Sequence, residues 1–148
     1  MIGYREALAL VLENRWTGNP VACPLSKAVG RIVADDILAA HDSPRFDNSA
    51  MDGYAVGSEA GPWALVGEVA AGQSAGRLEP GQAVRIFTGA PIPEGTCAVI
   101  PQELATVAGS QLQARAEAGR HIRLRSEEFQ AGSRIVPSGT RLNPGVLG

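Results

Sequence analysis

A chain of 148 residues is long enough to bury a core as one domain or as two small ones. Its net charge of −2 and an aromatic content of 5% argue against a nucleic-acid surface, which needs a basic face and stacking rings. No apolar run is long enough to span a bilayer, and MIGYREALAL has no basic stretch leading into an apolar one, so the chain reads as a cytoplasmic protein with neither nucleic acid nor membrane as partner.

Residues 4–15 place apolar side chains at Tyr4, Ala7, Leu8, Val11 and Leu12, the spacing of an amphipathic helix, and Trp16-Thr17-Gly18-Asn19-Pro20 stops it. LSKAVG (25–30) predicts one or two helical turns closed by Gly30. RIVADDILA (31–39) predicts an extended strand, with helix as the competing reading. From there the style changes to short apolar runs at 63–69, 83–88, 96–102, 111–116 and 121–125. The 18 glycines and 10 prolines are spread between these runs, which marks turn chemistry and not a disordered tract. AGSRIVPSGTRL, from Ala131, adds two extended pieces expected to return to the N-terminal segment. The fold expected is α+β: a helix-bearing linker segment, residues 1–45 and 126–148, with an inserted compact β barrel or sandwich-like domain at 46–125. Cys23 and Cys97 stand far from each other, and His41 and His121 are the only histidines, so no zinc spacing is present and both thiols read as free and partly buried.

Three loops could carry chemistry. SPRFDNSAMDGYAV (43–56) concentrates Asp47, Asn48, Ser49 and Asp52. Such oxygens suit a hard cation such as Mg²⁺, or a group orienting water in phosphoryl chemistry; they equally suit a run of turns. IFTGAPIPEG (86–95) ends a strand in Thr88-Gly89, whose hydroxyl and N–H groups could receive an oxyanion or merely cap a Pro-rich turn. It lacks the Lys of a phosphate loop. RHIRLRSEEF (120–129) sets Arg120, Arg123 and Arg125 among apolar residues ahead of Glu127 and Glu128. That is an anion-binding ladder or a solvated strand face with weak ion pairs. No GxSxG and no His beside a nucleophile is present, which argues against a self-sufficient hydrolase.

Taken in order, GRIVADDILAAHDSPRFDNSAMDGYAV, GQAVRIFTGAPIPEGTCAVIPQE and GRHIRLRSEEFQAGSRIVPSGTRL resemble the N-terminal region of the MoeA family, the molybdopterin molybdenumtransferases, related to the E region of gephyrin. The resemblance implies insertion of molybdate into adenylylated molybdopterin with Mg²⁺ and release of AMP. It implies a homodimer with a site shared between subunits and molybdopterin adenylyltransferase as the upstream enzyme. It assigns activity to Asp52, near cation or water, and to Thr88, as hydrogen-bond donor to an oxyanion; Ser49, Asp47 and Glu128 are its substrate-binding candidates, and its metal ligands are unassigned. Two departures stand out. Where the family has Arg-x-x-Gly-x-Asp, this chain has Arg123-Leu-Arg-Ser126-Glu-Glu128, and Ser cannot take every conformation of Gly. The family's α/β pterin-binding domain and C-terminal β domain are absent, and NPGVLG reads as a turn opening another helix, so the chain is expected to be the N-terminal part of a longer transferase, inactive alone. The alternative is a short non-catalytic paralogue acting as a dimerisation or scaffold module.

Overall fold

The structure, a computed structural model, describes residues 2–13 and 18–148. In chain order its elements are α1 (Tyr4–Glu13), a 3₁₀ turn (Leu25–Lys27), β1 (Ile37–Leu38), β2 (Asn48–Ser49), β3 (Gly53–Val56), β4 (Trp63–Val69), β5 (Gln82–Ile86), β6 (Ala98–Pro101), a 3₁₀ turn (Gln102–Leu104), β7 (Thr106–Ala108), β8 (Gln111–Gln113), β9 (Ile122–Arg123), β10 (Arg134–Val136) and α2 (Pro144–Leu147). The chain divides into two compact units, residues 1–37 with 136–148, and residues 38–135. The fold is mostly sheet, so helix is a smaller part of it than an α+β reading suggests. No helix among the described residues is long and apolar enough to cross a membrane.

In the first unit α1 carries no buried residue. The expected end of that helix at Arg15 and its stop signal at Trp16 and Thr17 lie outside the described residues. The returning C-terminal segment does meet the N-terminal one: Gly30 N–H donates to Leu142 C=O at 2.8 Å and Val33 N–H to Thr140 C=O at 2.9 Å. Residues 31–39 are extended, as expected, but broken by a bend at Ala34 and Asp35 and not one strand. The Asp36 carboxylate there accepts from Ser138 N–H at 2.7 Å, which competes with continued pairing. NPGVLG opens a helical turn, with the Asn143 side chain accepting from Val146 N–H at 3.0 Å and Pro144 in the first turn.

The second unit is built on a six-stranded sheet of order β6-β3-β5-β4-β8-β7, in which only the β4–β5 pair is parallel. Apolar side chains cover both faces. Ala55, Val84 and Val99 join Val69, Leu78, Ile86 and Ala90 in one cluster; Val56, Ala83, Ala98 and Ile100 join Trp63 and Leu112 in the other. Neighbours such as Ala55 and Val56 point to opposite faces because the strand repeat is two. β4 changes face partway along. Trp63 and Leu65 lie with the Leu112 cluster, whereas Val69 lies with the Ile86 cluster. A register shift between Leu65 and Gly67 inserts one residue opposite β5, and one residue is enough to swap faces.

Candidate functional site

The three loops singled out from sequence converge within the second unit. β2 pairs with β9 in the register Asn48↔Arg123 and Ser49↔Ile122. Its other edge meets the Thr-Gly loop: Ser49 N–H donates to Ala90 C=O at 3.0 Å, Gly89 N–H to Ser49 C=O at 2.8 Å, and Ile92 N–H to Asp47 C=O at 3.0 Å. Residues 47–50 are thus threaded between residues 89–92 and 121–125, which unites segments far apart in the chain.

Asp52 and Thr88 meet directly. Asp52 Oδ1 accepts from Thr88 N–H and from Thr88 Oγ–H, each at 2.8 Å. Both residues are exposed. The Thr88 amide above all, then its hydroxyl and the charge of Arg85, hold the Asp52 carboxyl below the ordinary carboxylate range. Arg85 was not singled out from sequence. Its guanidinium carbon lies 5.1 Å from the ring centroids of both Tyr54 and Phe87, and Nη2 donates to Gln102 Oε1. Gln102 N–H in turn donates to Asp52 C=O at 3.0 Å. The guanidinium is therefore fixed by cation–π contact and hydrogen bonding beside the acid. The signal available in sequence was AVRIF, whose alternation sets Arg85 and Phe87 on one face of a strand.

The remaining candidates divide. Asp47 is exposed, and its Oδ1 accepts from Arg125 N–H at 2.7 Å. Ser49 is 0% exposed, and its hydroxyl donates to Met51 C=O at 2.6 Å, so it shapes the loop from inside and presents nothing to solvent. Glu128 accepts from the Ser43 hydroxyl and from Arg123, which lower its carboxyl pKa in that order of strength. Asp42, another residue the sequence reading passed over, accepts from Ala131 N–H at 2.8 Å and from Arg125 Nε, and is lowered by both, the backbone bond more. Phe46 is 48% exposed, whereas Tyr54 packs against the Trp63 cluster.

The arginine ladder does not form. β9 is two residues long, and Arg120, Arg123 and Arg125 pair separately with Glu117, Glu128 and Asp42. The Arg120–Glu117 and Arg123–Glu128 pairs are exposed and contribute little each, whereas the Asp42 carboxylate facing Arg125 is largely covered. At the same corner Ser126 has φ +64°, the left-handed conformation that favours Gly. The serine therefore adopts the shape that the substitution called into question, and does so at a steric cost. Ser126→Gly relieves that strain but gives the unfolded chain more freedom and loses the Ser126 hydroxyl's bond to Asp42, so it should stabilise the protein by no more than about 0.5 kcal/mol. Urea unfolding of the two forms measures this; a destabilised variant would contradict the account.

Among the described residues no group of three or more His, Cys, Asp and Glu side chains is arranged to hold a metal ion. Cys23 and Cys97 are both free and half-buried, as read from sequence, and burial pushes the Cys97 thiol up.

The family described as MoeA N-terminal region (domain I and II) matches residues 2–148. Molybdopterin molybdenumtransferase 2 of Mycobacterium tuberculosis is 37% identical over 100% of this chain and 40% of its own length. The molybdopterin molybdenumtransferase of Bacillus subtilis is 36% identical, over 95% of this chain and 36% of its own length. The crystal structure of the molybdopterin biosynthesis MoeA protein from Pyrococcus horikoshii OT3 superposes with a TM-score of 0.85 at 33% identity, over 99% of this chain and 42% of that one. The chain spans about two-fifths of the length of these relatives.

Proposed function

The chain belongs to the MoeA N-terminal region family, and on that premise we propose that it forms the N-terminal part of a molybdopterin molybdenumtransferase, which inserts molybdate into adenylylated molybdopterin and releases AMP. The observation that carries this reading is the convergence of the three family-like stretches on one corner, where Asp52 and Thr88, 36 residues apart in sequence, share a carboxylate oxygen. In this reading the corner is one half of a site completed by a second subunit of a cytoplasmic homodimer, and molybdopterin adenylyltransferase supplies the substrate.

The reaction expected from the family uses Mg²⁺. The residues present do not by themselves fit a Mg²⁺ site, because Asp52 Oδ1 is already engaged by Thr88 and no second carboxylate joins it in a ligand cluster among the described residues. The Ser126 corner, which motivates the scaffold alternative, is held by the Glu128–Arg123 pair, and no specific observation favours that alternative.

Editing the chromosomal locus tests the proposal. Deleting it should abolish molybdenum cofactor and leave adenylylated molybdopterin to accumulate. Asp52→Ala should lower cofactor formation by about tenfold or more, as expected when a preorganised polar group is lost from a reaction site. Unchanged cofactor in the deletion strain would overturn the reading.

A further inference from the structure

The polarity of the Asp52–Thr88 corner runs against an oxyanion-binding role. A threonine hydroxyl has one proton, and an ionised carboxylate accepts only. Two such oxygens 2.8 Å apart are therefore joined by the hydroxyl proton, since any other orientation sets lone pairs against each other. The proton that could have reached an oxyanion is turned toward Asp52 Oδ1, and Thr88 Oγ presents lone pairs outward. Asp52 Oδ2 takes neither of the two Thr88 donors.

The backbone of the same loop is also committed. Thr88 N–H goes to Asp52 Oδ1 at 2.8 Å, Gly89 N–H to Ser49 C=O at 2.8 Å, and Ala90 N–H to Phe87 C=O at 2.9 Å. An anion-binding loop points successive N–H groups at one spot; here all three are taken by acceptors of the protein itself. Hydroxyl and amides thus agree, and the Arg85 guanidinium beside Asp52 turns Nη1 to Gly53 C=O and Nη2 to Gln102 Oε1.

We propose that the Asp52–Thr88 corner is an acceptor subsite, receiving an O–H or N–H donor and turning away oxyanions such as phosphate and molybdate. The identity of the ligand rests on the function proposed above; the polarity does not. Under that function, the corner takes a hydroxyl or amino group of the substrate, or a water beside it, while the anionic groups are held elsewhere. Asp52→Asn reverses the polarity with little change of shape. Its Oδ1 still accepts from Thr88, but a donating NH₂ replaces Oδ2.

The test follows the Thr88 amide signal of ¹⁵N-labelled protein during separate titrations with inorganic phosphate, molybdate and adenosine. For wild type, phosphate and molybdate should leave the signal unmoved, and Asp52→Asn should acquire a saturable phosphate-dependent shift. A saturable shift of the wild-type signal by phosphate or molybdate overturns the proposal, and this arm needs no variant. A saturable shift of the wild-type signal with adenosine that is lost in Asp52→Asn supports the proposal by placing a hydroxyl or amino donor at the corner. Thr88→Ser keeps the polarity and should behave as wild type, so an anion response there also overturns it. Should the chromosomal deletion leave cofactor synthesis intact while wild type stays inert to anions, the function fails and the acceptor corner stands.

Discussion

Trp63→Ala should destabilise the second unit by about 3–5 kcal/mol, the range for removing a large aromatic from a packed core. Trp63 is 0% exposed and opens β4 opposite Leu112, packed with Val56, Ala83, Ala98 and Ile100. Its indole N–H donates to Ser58 C=O and to Ser58 Oγ, both at 3.0 Å. Alanine therefore leaves a cavity and also strips the loop at Ser58 of a donor. Trp63→Phe fills most of the space and loses only the N–H, so it should cost distinctly less, about 1–3 kcal/mol. A domain stable by some 5–15 kcal/mol tolerates the second change and comes close to unfolding with the first. Hydrogen exchange of β3 and β5 amides measures both within this unit; equal effects would mean that the hydrogen bond, not the ring, matters most.

How much of this core could be read from sequence depends on what sets each strand's ends. β4 was legible to the residue, because WALVGEV is bounded by Pro62 on one side and an Ala-Ala-Gly turn on the other. β6, β8 and β9 are shorter than the runs that predict them, and β5 starts one residue earlier, at Gln82, and ends two earlier, since the apolar pattern continues past the point where the partner strand stops. β7 lies outside the apolar runs read as strands, because Thr106–Ala108 runs straight into the turn at Gly109, whose φ is +62°. The parallel β4–β5 pairing and the inserted residue after Leu65 left no trace in composition or period: both are choices of register, fixed by which partner lies alongside.

The residues of the candidate site could be singled out from sequence, but not how they meet. Asp52 and Thr88 stood out through their loops and through family resemblance, yet pattern alone left each a plain turn residue. Their partnership is a long-range contact that no local period encodes. The direction of the Thr88 proton depends on it as well, so the hydroxyl expected to donate to an oxyanion donates to Asp52 instead. The arginine ladder failed for a related reason: alternation predicts a common face only while the strand continues, and β9 ends after Arg123.

Gly53 links the sheet to the site, and Gly53→Ala should damage both. Gly53 is the first residue of β3, between Ile86 of β5 and Pro101 of β6, immediately after Asp52. A Cβ there would run into the Ile100 carbonyl and sit 3.1 Å from Pro101 Cα. The obstruction is the backbone of the neighbouring edge strand β6, so no side chain can swing aside, and overpacking of this kind costs about 1–3 kcal/mol. The φ of Gly53 is not the issue; the space is. Relief requires β6 to move away from β3, which also shifts Gln102, the residue that donates to Asp52 C=O and holds Arg85. Gly53→Ala should therefore lower stability and displace the Thr88 amide resonance together. Gly67→Ala is the matched control: a Cβ at Gly67 meets nothing within 4 Å, and its change should stay within about 0.5 kcal/mol. If Gly53→Ala unfolded no more easily than Gly67→Ala, the close approach of β3 and β6 would not be what requires a glycine beside Asp52.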